Sequence, residues 1–173
     1  MKKYFLVKIK HAERESDGST SFVTDQFIVF AMTYADAEML AYDYAEQHWS
    51  GTFRIMGVTK QSVIGAYGLA EGEEGEVFKL TFEYESETDG RLNKIQKFRE
   101  QYFVVDKSLI RATLRLEQEM VDNVCITQNV VAGSKLKIVD YICDEIDPEV
   151  DLDSRALVNI TQPTIEYNDE ESE

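Results

Sequence analysis

Gln26-Phe27-Ile28-Val29-Phe30-Ala31-Met32-Thr33-Tyr34-Ala35-Asp36-Ala37-Glu38 joins a β-branched and aromatic run to a hydroxyl residue and two early acids. The run suits a largely buried strand. Thr33 can cap free backbone N–H groups, and the acids suit the positive end of a helix. Beyond it, Ala37, Leu40, Ala41, Tyr44, Ala45 and then His48 or Trp49 recur at spacings of three and four. That periodicity predicts an amphipathic helix ending near Ser50-Gly51. Upstream, Phe5, Val7 and Ile9 alternate with Leu6, Lys8 and Lys10, a strand with one wetter face. The polar stretch from His11 to Ser21, centred on Asp17-Gly18, predicts a hairpin with a long loop. Downstream, Thr52 to Val58 and then Ser62 to Tyr67 return to extended structure.

The same order begins again 72 to 75 residues later. Phe78, Leu80, Phe82 and Tyr84 alternate as Phe5, Val7, Ile9 and His11 do, and Asp89-Gly90 recurs where Asp17-Gly18 stood. Gln101-Tyr102-Phe103-Val104-Val105 echoes the quoted strand, and Ser108 stands in the place of Thr33. Ala112, Leu116 and Met120 then take the helical positions of Ala37, Ala41 and Ala45, and Val124-Cys125-Ile126 follows as Phe53-Arg54-Ile55 did. The fold class is therefore α+β: two tandem ββαβ repeats with antiparallel sheets and two amphipathic helices. Residues 1–70 form the first repeat, 76–143 the second, and 144–173 an acidic, partly disordered tail. Two repeats are too few for a solenoid, so a pseudo-twofold pair, sharing a sheet or packing face to face, is expected.

Of 173 residues 43% are hydrophobic, enough to fill a core. No apolar run is long enough to cross a membrane, and the start Met1-Lys2-Lys3-Tyr4-Phe5-Leu6-Val7-Lys8 loses its hydrophobicity too soon for a signal peptide. A cytoplasmic location without membrane contact is expected. Cys125 and Cys143, with no CxxC and no Cys/His cluster, read as reduced thiols. The net charge of −15 is lopsided: residues 144–173 hold eleven acids against Arg155, a net of −10, which leaves residues 1–143 at −5.

In the strand-to-helix segment, from Asp25-Gln26-Phe27-Ile28-Val29 to Thr33-Tyr34-Ala35-Asp36-Ala37-Glu38, and in the aromatic-led first strand and polar hairpin loop, the chain resembles a family of proteins from gut bacteria and their phages without an assigned function. The resemblance covers about residues 4–142. It implies a phage or mobile-element origin, and it brings no activity and no catalytic residues.

No Walker loop, GxGxxG, HExxH, GxSxG or paired-cysteine signature is present, so no reaction, cofactor or metal is proposed by motif. His11 and His48 lack spaced metal partners and read as structural or surface residues. Glu71, Glu73 and Glu74 lack EF-hand spacing and read as solvated charge. The pattern with most functional content is the second repeat, where Arg91, Lys94, Lys97, Arg99, Lys107, Arg111 and Arg115 lie within 25 residues together with Phe98, Tyr102 and Phe103. A basic and aromatic surface suits single-stranded nucleic acid, because cations track phosphates while exposed rings stack on bases. Lys94, Lys97, Phe98, Arg99 and Tyr102 are the candidate binding residues. Strand alternation sets Phe98 and Tyr102 on the face of Lys94, and Lys97 and Arg99 on that of Phe103, so the two groups are able to face apart. The plainer alternative is that the rings are core and the bases solubilise the exposed side.

The tail end, Ile165-Glu166-Tyr167-Asn168-Asp169-Glu170-Glu171-Ser172-Glu173, offers Tyr167, Asp169, Glu170 and Glu171 to a protein partner. By charge alone the tail is able to compete with nucleic acid for a basic surface. Two non-enzymatic functions follow: a phage-type single-stranded-DNA-binding or replication accessory protein, or a protein-interaction module, a virion component or a host-directed inhibitor using its acidic surface on phage or host proteins.

Overall fold

The computed structural model describes residues 1–88, 94–121 and 127–143. The expected Asp89-Gly90 turn, the expected extended segment Val124-Cys125-Ile126 and the acidic tail lie outside them. The first repeat gives β1 (Lys3–Arg14), β2 (Thr20–Ala31), α1 (Tyr34–His48), β3 (Phe53–Lys60) and β4 (Val63–Tyr67). The second gives β5 (Glu76–Thr88), β6 (Lys94–Asp106), α2 (Leu109–Glu119), β7 (Thr127–Leu136) and β8 (Asp140–Cys143). The β1–β2 hairpin is longer than its polarity suggested. Its strands pair from Lys3–Ala31 out to Arg14–Thr20, and only a short turn remains, with Gly18 in the left-handed region at φ 86°. Polar side chains there cost nothing because both faces of the hairpin tip are in water.

Each repeat keeps three strands and gives the fourth away. The first sheet has the order β3-β1-β2-β8 and the second β7-β5-β6-β4, so the closing strand of each repeat completes the other's sheet. Both exchanged strands run parallel to their new neighbours, β8 beside β2 and β4 beside β6. The sheets are therefore mixed, with an antiparallel three-stranded centre and one short parallel edge. The equivalence of the repeats extends to an irregularity. Pairing slips between Lys8 and Ile9 on the β1–β3 side, leaving Met56 as an extra residue, and between Thr81 and Phe82 on the β5–β7 side, leaving Val131. Bulges at matching positions bend both three-stranded units in the same place.

Side-chain parity then builds three cores in four layers. On one face of the first sheet, Phe5, Val7, Ile9, Phe27 and Val29 meet Ala37, Ala41 and Ala45 of α1, an alanine stripe that admits the helix closely. Phe78, Leu80, Phe82, Tyr102 and Val104 meet Ala112, Leu116 and Met120 of α2 in the same way. The opposite faces pack on each other through Tyr4, Ile28, Val63, Leu69, Val77, Phe103 and Val105. This explains the unbroken apolar runs Phe27–Val29 and Tyr102–Val105, which are buried on both faces. Face-to-face packing covers only one end of each sheet. Beyond Leu6 and Ile28 the first sheet turns Lys8, Lys10, Phe22 and Thr24 to solvent.

Candidate functional site

The open halves of the two sheets hold the candidate surfaces, and the second repeat's basic cluster comes apart there. Tyr102 is 3% exposed, inside the α2 core, and its hydroxyl donates to Glu100 Oε2 at 2.7 Å. Phe98, on the same face, is half-buried and stacks on Tyr84 with ring centroids 5.2 Å apart. Lys97 and Arg99 point to the other face, as alternation predicted. There β5 supplies carboxylates: Lys97 Nζ lies 3.1 Å from Glu85, and Arg99 Nε donates to Glu83 at 2.7 Å. The Arg99 bond holds the Glu83 carboxyl below its usual range. Lys94 opens β6 opposite Thr88, its side chain outside the described residues. Further along, Arg111 Nε lies 3.0 Å from Asp106, and Arg115 bonds Glu73 Oε1 at 2.8 Å and the Val105 carbonyl at 3.1 Å. Glu73 is thereby part of a built turn beside Gly68, with its pKa lowered by that bond. The structure thus brings together bases with acids, and separates Phe98 and Tyr102 from Lys97 and Arg99. Arg91 and the tail residues Tyr167, Asp169, Glu170 and Glu171 lie outside the described residues.

The equivalent half of the first sheet has the opposite electrostatics. Register sets Lys8 opposite Gln26, Lys10 opposite Thr24 and Ala12 opposite Phe22, with Arg54 of β3 beside Lys10. Cross-strand neighbours stand about 5 Å apart, and next-but-one residues about 7 Å. Lys8, Lys10 and Arg54 therefore form one cationic group. No ion pair joins any of them to a carboxylate among the described residues. Phe22 is 60% exposed, with Lys10 Nζ 5.2 Å from its ring centroid, and Met56 is 52% exposed beside them. Where the first sheet has Lys10 and Ala12, the second has Glu83 and Glu85; where the first has Phe22 and Thr24, the second has Lys97 and Arg99. One face is cationic and the other cancels itself. The sequence signal for the first was the wetter side of the first strand, Lys8 and Lys10; joining Arg54 and Phe22 to it needed the register.

On the helix side each repeat holds one carboxylate at the matching position of its second strand. Asp25 accepts from His11 Nε2 at 2.9 Å, and Glu100 accepts from Tyr84 at 3.1 Å. His11 is buried and stacks flat on Trp49 at 4.0 Å. Nearby, Tyr44 donates to Asp140 at 2.9 Å; burial first, and that bond second, push its phenol up to about 12. These pairs close the open end of each helix core. Among the described residues no group of three or more His, Cys, Asp or Glu could hold a metal ion, and no helix is long and apolar enough to cross a membrane.

A strand-exchanged internal duplication, carrying one cationic and one self-neutralised open face, is the class that fold and site define. The chain belongs to the DUF4494 family: the family model described as a domain of unknown function (DUF4494) matches residues 3–144. No curated protein and no solved structure matches it.

Proposed function

We propose that the protein is a non-enzymatic single-stranded nucleic-acid-binding protein whose contact surface is the open face of the first sheet. The observation that carries this reading is the group Lys8, Lys10 and Arg54, without carboxylate partners among the described residues, with Lys10 over an exposed Phe22. Phosphate neutralisation releases counterions, which favours association at low salt, and an exposed ring adds stacking without sequence readout. A paired base such as Arg99 must first give up Glu83, so Lys97, Arg99 and their neighbours contribute little. The reading includes the phage or mobile-element origin that the sequence resemblance implies, with action in the host cytoplasm. It also includes competition by the net −10 of residues 144–173, Tyr167 to Glu171 among them.

Titrating isotope-labelled protein with a short oligothymidine tests the surface: amide signals of residues 8–12, 22–26 and 53–56 shift, while those of 95–101 stay. Shifts confined to 95–101 would contradict the assignment. Neutralising Asp147, Glu149, Asp151 and Asp153 raises affinity if the tail competes, and unchanged affinity removes that part.

A second reading is favoured by one feature of α2. Ile110 and Leu114 lie one turn apart on its outer side, 74% and 53% exposed, an apolar stripe suited to a protein partner. Leu114→Glu abolishes recovery of such a partner from host extract; recovery unaffected by the change removes this reading.

A further inference from the structure

The first sheet's open face is not flat. At its outer end a hollow of about 240 Å³ is lined by Lys10, Phe22, Thr52, Phe53, Arg54 and Met56. Three properties distinguish it from the corresponding region of the second sheet. Its floor is a ring that lies more than half in solvent, with a cation over one side. Its far wall is the thioether of the bulge residue Met56, a soft, polarisable group that packs well against aromatic edges. Its rim carries Arg54 and Lys10 as cross-strand neighbours, one planar donor and one compact charge. The larger hollow of the second sheet is lined by Ser62, Ile64, Thr81, Arg99, Gln101 and Val131 among others, and holds no aromatic ring.

We infer that the first hollow is a seat for one unpaired nucleobase, stacked on Phe22 against Met56, with Lys10 and Arg54 on the flanking phosphates. The inference rests on the nucleic-acid reading and deepens it, because cations alone bind any polyanion whereas an exposed ring beside them adds a surface on which a base stacks. A base presents a π-face to Phe22 whatever its identity, so the seat discriminates base from no base more than one base from another.

The test compares an oligothymidine with an abasic strand of the same phosphate count, using full-length parent and Phe22→Ala. Because Phe22 is largely exposed, its removal leaves the fold intact, which a thermal melt verifies. Parent binds the base-bearing strand roughly 5- to 150-fold more tightly than the abasic one, and Phe22→Ala loses that preference, while Phe22→Trp retains it. Equal affinity of the parent for both strands, or an unaltered preference in Phe22→Ala, overturns the seat. If the abasic strand binds as tightly as the other but Lys10→Gln and Arg54→Gln weaken both, the cationic surface stands and the seat falls. If neither strand binds the parent at low salt, both fall.

Discussion

Tyr44 shows how a single side chain ties the exchanged strand into the first sheet's helix core. Its hydroxyl reaches Asp140 of β8 from α1, and its ring stacks on His48 at 3.9 Å and sits 5.2 Å from Phe27. Burial favours the neutral phenol in the folded chain, with a pKa of about 12 against 10 for the free group. A pKa raised on folding stabilises fully below the unfolded value and loses that contribution as pH rises through the folded one. The parent therefore loses stability between about pH 10 and 12 more steeply than Tyr44→Phe, measured as denaturation midpoints at pH 8, 10 and 11.5. Parallel pH profiles would contradict this. At this scale the sequence was partly legible. Parity put His11 on the face of Phe5, Val7 and Ile9, and it is indeed structural. That Lys97 and Arg99 meet Glu83 and Glu85 was not legible, because partners lying 12 to 16 residues away are identified only by hairpin register.

The elements themselves follow closely from local chemistry. Thr33 and Asp36 form a reciprocal capping box, Thr33 Oγ1 accepting from the Asp36 amide at 3.1 Å and Asp36 Oδ2 from the Thr33 amide at 3.0 Å. Ser108 caps α2 with one longer bond, 3.3 Å from the Arg111 amide, and has no acid to answer it. Thr33→Ala accordingly costs about 1 kcal/mol in urea denaturation, and Ser108→Ala less. An equal or larger loss at Ser108 would contradict the difference in capping. Both caps were readable from a hydroxyl preceding the helical period. The buried stretches of β1, β2, β5 and β6 were readable from alternation or apolar runs, but polarity hid the hairpin ends of β1 and β2, where no face is buried, and neither β7 at Thr127–Leu136 nor β8 was read in its place. The destinations of β4 and β8 were not readable. Extended segments of five and four residues carry no mark of which sheet they join, and the answer depends on which edge, β6 or β2, the packed sheets leave open.

Across the whole molecule, strand exchange makes the two repeats one cooperative unit. Each sheet lacks an edge without the other repeat, and the core between them buries Tyr4 and Ile28 of one repeat against Phe103 and Val105 of the other. The single tryptophan, Trp49, lies in the first repeat, stacked on His11. Leu116→Ala, a fully buried change in the second repeat, costs about 2–5 kcal/mol and lowers the transition reported by Trp49 fluorescence as much as that seen by circular dichroism. A Trp49 transition that stays in place would mean the repeats unfold independently. The repeated order was legible from β1 to α1 and from β5 to α2, where strand, strand and capped helix return in sequence. Its charge asymmetry was legible only in part. The bases of the second repeat form a run along the chain while several of their partner acids lie on β5 and in the connector, whereas the three cations of the first sheet are spread over two strands and never form a run.

The salt dependence of oligothymidine affinity tests the proposed first-sheet surface most directly, compared among the parent, a Lys8→Gln/Lys10→Gln/Arg54→Gln variant and a Lys97→Gln/Arg99→Gln variant. With roughly 0.7 counterions released per neutralised phosphate on a single strand, loss of three contacts flattens the slope of log affinity against log salt by about 2. The account predicts that flattening for the first variant and a slope near the parent's for the second. The reverse pattern, a parent-like slope after losing Lys8, Lys10 and Arg54 and a flattened one after losing Lys97 and Arg99, would contradict it.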